Sequence, residues 1–95
     1  MYSVINETVE VFANFNKNGA EPICFTWKNN DYNITAINFK HYSKDGDKKV
    51  YHFAVTANHE TYKLMFDPTT LVWRLEEVYL ENDFKEVKTL NDNYN

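Results

Sequence analysis

Ninety-five residues make one domain with one modest core and leave no room for a second. The formal net charge of −4 argues against nucleic-acid binding by bulk electrostatics, which needs a concentrated basic face, although a local basic patch stays compatible with it. Cys24 is the single cysteine, so no internal disulfide can form, and a reducing, cytoplasmic setting is expected. No apolar run approaches the ~20 residues a membrane-spanning helix needs, and the first residues lack the basic-then-apolar pattern of a secretory leader, so no membrane association is expected.

Seven Phe, seven Tyr and two Trp are enough large side chains to fill a small barrel with few aliphatics. Turn chemistry then punctuates the chain at short intervals. Asn18-Gly19 and Asp45-Gly46 are dipeptides favoured in two-residue hairpin turns, where φ must be positive. Asn29-Asn30-Asp31 and Asn58-His59 are weaker versions, and Asp67-Pro68-Thr69-Thr70 reads as a turn with φ pre-set by proline.

In chain order the segments between these turns alternate with a period of two. Val9, Val11, Ala13 and Phe15 form the first apolar face, with Phe12 out of phase. Ile23, Phe25 and Trp27 form the second. Tyr32 and Ile34 begin the third, but Ile37 and Phe39 fall on the opposite phase, so one extra residue near Ala36 is expected as a β-bulge. Tyr51, Phe53 and Val55, then Tyr62, Leu64 and Phe66, then Leu71, Trp73 and Leu75 complete the set.

The expected strands are 7–16, 21–28, 31–43, 48–57, 60–66 and 71–79. A third strand of this length would span about 43 Å if straight, too long for so small a domain, so it must bend. The expectation is a mainly all-β fold, a six-stranded antiparallel meander over residues 1–80 rolled into a small barrel or half-barrel, which removes exposed strand edges. Leu80, Phe84, Val87 and Leu90 have helical spacing, so residues 81–95 read as a short C-terminal helix or a tail.

The stretches Glu7-Thr8-Val9-Glu10-Val11, Pro22-Ile23-Cys24-Phe25-Thr26-Trp27 and Tyr32-Asn33-Ile34 resemble the opening of a small uncharacterised bacterial all-β domain family. Thr61-Tyr62-Lys63-Leu64-Met65-Phe66-Asp67, Trp73-Arg74-Leu75 and Val78-Tyr79 are similar to its closing half. The family is also found as a C-terminal extension of proteins related to Y-family translesion DNA polymerases. Where its pattern often has Trp near the end of the third strand, this chain has His41-Tyr42. The resemblance implies an all-β module without enzyme activity, a link to DNA damage tolerance, and no catalytic residues.

The residues themselves offer little chemistry. Ser3 and Ser43 sit in no glycine-flanked elbow, and Cys24 reads as a buried structural thiol. His41, His52 and His59 lack metal-ligand spacing, so neither a metal nor another cofactor is expected. His52 reads as a solvent-side strand residue. Glu76 and Glu77, adjacent in a strand, should point to opposite faces. Trp27, Tyr32 and Trp73 read as core.

The one concentration of positive charge is Lys40, Lys44, Lys48 and Lys49 around Asp45-Gly46, interleaved with His41, Tyr42 and Tyr51. Lys40, Tyr42, Lys44, Lys48 and Lys49 are therefore the candidate contact residues. The bland alternative is a solvated hairpin whose lysines discourage edge pairing. The expected function is a non-catalytic protein-interaction module, not an enzyme, whose partner is another protein. The alternative is a weak single-stranded nucleic-acid binder using that hairpin.

Overall fold

Six antiparallel strands close into a barrel in simple sequence order. They are β1 (Tyr2–Asn16), β2 (Gly19–Trp27), β3 (Asn30–Asp45), β4 (Lys48–Ala57), β5 (Glu60–Asp67) and β6 (Val72–Tyr79). This is a computed structural model that describes residues 2–80, and the helix or tail expected over 81–95 lies outside the described residues.

Two strands hold the closure together by changing partners. Residues 2–9 of β1 pair with β6, and from Glu10 onward β1 pairs with β2. In the same way β3 pairs with β2 only up to Asn33 and with β4 from Ile34 to its end. The barrel is thus a five-strand sheet and a three-strand sheet sharing two long, bent strands. Its principal extents are 55 × 25 × 24 Å, and a strand of β1's length spans roughly 50 Å, so the long strands set the long dimension.

Bulges supply the bends. The expected one near Ala36 is present, because the register skips Thr35 between Ile34 and Ala36, and a second skips Asn38. Thr35 Oγ1 donates to the Thr56 carbonyl at 3.2 Å, and Asn38 Nδ2 donates to Thr56 Oγ1 at 2.8 Å. Thr56 therefore anchors both irregularities. The first bulge turns Ile37 inward opposite Val55, and the second sends Phe39 outward and Lys40 inward opposite Phe53. Phe39 is accordingly 61% exposed, where a single bulge would have buried it.

Other departures from the simple alternation have the same origin. Ile23 is skipped where β2 pairs with β1, so it is exposed, and Pro22 is the buried neighbour. Pro22 lies on a stretch of β2 paired only with β1, where a missing N–H is tolerated. β1 starts at Tyr2, five residues before the expected boundary, with a bulge between Val4 and Glu7 that puts Asn6 at φ 54°. Arg74 Nη1 donates to the Asn6 carbonyl at 2.8 Å and fixes that kink. Leu71 is a turn residue at φ 63°, not the start of β6, and its N–H donates to the Asp67 carbonyl.

The turns reverse the expected ranking. Lys28-Asn29 and Asn58-His59 have positive φ at both central positions, as a type I′ turn requires. In the other two hairpins the central pairs are Lys17-Asn18 and Gly46-Asp47, one residue away from the expected pairing for each. Gly19 then takes φ 113° as the first residue of β2, a conformation open to glycine.

Among the described residues the largest fully buried side chains are Phe25, Phe53, Val55, Leu64, Leu75 and Val78. Phe25 stacks on Tyr32 at 4.9 Å and meets Tyr62 edge-on at 5.2 Å, and Trp73 lies 4.6 Å from Phe66. Trp73 is buried, while Trp27 and Tyr32 are half-buried against the same core. The Trp27 indole N–H is satisfied by Glu7 Oε1 at 3.1 Å.

Candidate interaction site

The partner changes that close the barrel also open it. Beyond Asn33, β3 has a ladder on its β4 side only, and residues 19–23 of β2 are paired only with β1. A gap therefore separates β2 from residues 34–45 of β3, and among the described residues this edge of β3 has no pairing partner. Lys40 reaches across this gap, donating from Nζ to the Asn18 carbonyl at 3.2 Å.

Register divides the candidate lysines between two faces. Lys40, Tyr42 and Lys44 lie opposite Phe53, Tyr51 and Lys49. Directly opposed residues share a face, so these six polar or aromatic side chains line the concave face that continues the core outward. Lys49 Nζ lies 4.1 Å from the Tyr42 ring centroid and 5.7 Å from that of Tyr51, while Lys40 Nζ lies 5.7 Å from Phe53. Among the described strand positions of β3 and β4, this face carries no carboxylate.

Lys48 belongs to the other face. Its ammonium lies 2.8 Å from Asp67 Oδ2, and Thr69 N–H donates to Asp67 Oδ1 at 2.9 Å. The Lys48 hydrogen bond is the main reason the Asp67 carboxyl is held below the usual aspartate range, and the same bond raises the Lys48 ammonium. The structure thus brings four of the five candidate residues together and separates Lys48, whose charge is already matched.

At the same end, Phe15, Ala20, Tyr51, Phe66 and Leu71 bound a cleft of about 300 Å³ at the barrel mouth. A larger open groove of about 710 Å³ runs along the β1–β2 arm, past Phe12, Cys24, Leu71 and Trp73. Phe12 and Leu71 are 70% and 69% exposed, and Cys24 is half-exposed on this groove, not buried as its strand pattern suggested.

The outer face of β3 and β4 holds a second constellation. His52 faces outward as expected, but it is only 20% exposed, with Nδ1 3.1 Å from Glu76 Oε1 and Nε2 2.9 Å from Ser43 Oγ. The His41 ring stacks on it at 4.8 Å. Glu76 and Glu77 do not point to opposite faces. Leu75 and Val78 are both buried, so the two residues between them bulge outward together, Glu76 to His52 and Glu77 to Lys63 at 3.3 Å. Neither this trio nor the unpaired β3 edge is visible in sequence spacing, since both depend on register.

Among the described residues no group of three or more His, Cys, Asp or Glu side chains is placed to hold a metal ion, and no helix is long and apolar enough to cross a membrane. Compared with protein-family models, curated proteins and solved structures, the chain shows no match.

Proposed function

We propose that this protein is an interaction module that receives an extended acidic segment of a partner protein as an added strand on the free edge of β3. The observation that carries this reading is the edge over residues 34–45, unpaired among the described residues and flanked by a face whose described β3 and β4 positions hold three lysines and no carboxylate. A peptide backbone matches the evenly repeating donors and acceptors of a strand edge, which a sugar–phosphate chain cannot do. Carboxylates of the incoming strand would meet Lys40, Lys44 and Lys49, and its apolar side chains would rest on Tyr42 and Tyr51. On the resemblance noted above, the partner belongs to DNA damage tolerance, and the single cysteine of the chain fits a cytoplasmic site of action.

A second reading rests on Lys49 lying over Tyr42 and Tyr51. Ammonium groups beside exposed rings are how single strands are held, by phosphate contact and base stacking. One amide-resolved NMR titration separates the two, using a short peptide alternating glutamate and valine, and a short oligothymidylate. Strand addition predicts peptide-dependent exchange protection of alternate amides within residues 34–45. Shifts confined to Tyr42, Tyr51 and their neighbours with the oligonucleotide, reversed steeply by salt, would favour the nucleic-acid reading. The absence of any response to the peptide would refute strand addition.

A further inference from the structure

We propose that Ser43 is an activated nucleophile that accepts acyl groups from activated aryl esters, with His52 as its base and Glu76 as the group that positions the base. The chain of contacts is continuous, Ser43 Oγ to His52 Nε2 at 2.9 Å and His52 Nδ1 to Glu76 Oε1 at 3.1 Å. A carboxylate can only accept, so Nδ1 must carry the proton that binds Glu76. This leaves the Nε2 lone pair of the neutral ring to accept from the Ser43 hydroxyl. Nucleophile, base and orienting acid in this order are the constellation by which such sites are recognised, whatever the fold or the chain order.

The trio is held rigidly for a surface site. Ser43 and His52 are diagonal neighbours on a paired β3–β4 ladder, since Ser43 opposes Val50 and His41 opposes His52. Glu76 is presented by the β6 bulge, and the His41 ring covers one face of the His52 ring with only 14° between their planes. Substrate preference follows from the adjacent row. Phe39, His41 and Ser43 alternate along one face of β3, and the Phe39 and His41 rings are 5.3 Å apart, so an aryl group can lie along them beside the hydroxyl. A nucleophile with a base suits donors whose aryl oxide departs without being protonated.

In the step proposed, Ser43 Oγ bonds to the acyl carbon as its proton passes to His52 Nε2, and the carbon–oxygen bond to the aryl oxide breaks. His52 then releases its Nε2 proton to solvent. Water, deprotonated by the neutral ring, attacks the acyl-serine, and that second proton passes from Nε2 to Ser43 Oγ as the carbon–oxygen bond to serine breaks, releasing the carboxylic acid and restoring the serine hydroxyl.

The test uses p-nitrophenyl acetate with the full chain, reading nitrophenolate release and peptide-mapped acetylation. Acetyl on Ser43 is expected, absent in Ser43→Ala, with release slowed about 10²-fold in His52→Gln, the lower range for loss of a general base. Exposed Ser43 and a His52 that lies on the outer face, outside the core, make both variants compatible with folding, which amide spectra check. Glu76→Gln should shift the His52 ring-nitrogen resonances toward a mixed tautomer and slow acetylation, and Glu76→Asp should restore part of both. Acetylation of lysines with Ser43 untouched, or equal release by Ser43→Ala and the unaltered chain, would overturn the proposal. Neither outcome bears on strand addition, which uses the free backbone edge of β3 and its concave-face lysines.

Discussion

Lys48 Nζ and Asp67 Oδ2, 2.8 Å apart, tie the tip of the β3–β4 hairpin to the start of the β5–β6 turn. Asp67 ionises more readily in the folded chain than in the unfolded one, because the Lys48 bond and the Thr69 N–H favour the carboxylate. Its contribution to stability is therefore complete above the ordinary aspartate range and is lost as pH falls through that range to the lowered folded value. Denaturant midpoints measured down an acid series should drop less steeply in Lys48→Met than in the unaltered chain. Parallel acid limbs in the two proteins would mean the pair does not set the acid response.

At the alkaline end the relevant group is Tyr62. Burial first, then the neighbouring Tyr32 and Glu60, push its phenol from 10.0 up to about 12. The unfolded chain releases this proton first, so stability is intact below pH 10 and declines from there toward about 12. Tyr62→Phe keeps the ring against Phe25 and should flatten that decline. A phenolate absorbance titration in which every tyrosine ionises near 10 would contradict it.

Core and turn leucines should respond in opposite directions. Leu75 is fully buried, and Leu75→Ala should cost about 2–5 kcal/mol, the usual range for a leucine cavity. Leu71 is exposed and holds a left-handed backbone, so Leu71→Gly should stabilise by about 1 kcal/mol through relief of that strain. Urea unfolding of both variants checks the contrast. Destabilisation by Leu71→Gly would show that the Leu71 side chain contributes more on the groove than its backbone costs.

Charge reversal should sort the hairpin lysines by face. Lys44→Glu and Lys49→Glu should each weaken binding of the acidic peptide with little change in stability, since both side chains are on the exposed concave face. Lys48→Glu should instead lower stability by placing two carboxylates together at Asp67, with a smaller effect on peptide affinity. Calorimetric titration alongside thermal melts distinguishes the two classes.

The fold was legible where alternation is uninterrupted. Tyr51, Phe53 and Val55, then Tyr62, Leu64 and Phe66, then Trp73 and Leu75 are inward-facing, as a two-residue period requires, while Leu71 falls in the turn before β6; the phase change beyond Ile34 revealed the first bulge of β3. Bulges that leave the apolar alternation unbroken gave no such sign. Ile23, Phe25 and Trp27 keep perfect period while the backbone slips at Ile23, and β1 slips near Asn6 among polar residues. The candidate lysines were visible as a cluster, but only pairing partners tell Lys44 and Lys49 from Lys48. Ser43, His52 and Glu76 are separated by 9 and 24 residues, and only strand register brings them into contact.

Tyr2 pairs with Tyr79, their rings 4.8 Å apart, at the end of the barrel opposite the turn joining β3 to β4. A carrier domain spliced onto either side of the described fold would therefore emerge beneath it, leaving the β3 edge pointing away from the carrier. The same adjacency makes the fold a natural substrate for circular permutation. Joining the ends near Tyr2 and Leu80 and cutting between Lys17 and Asn18 would keep all six ladders while moving the chain ends beside the open edge.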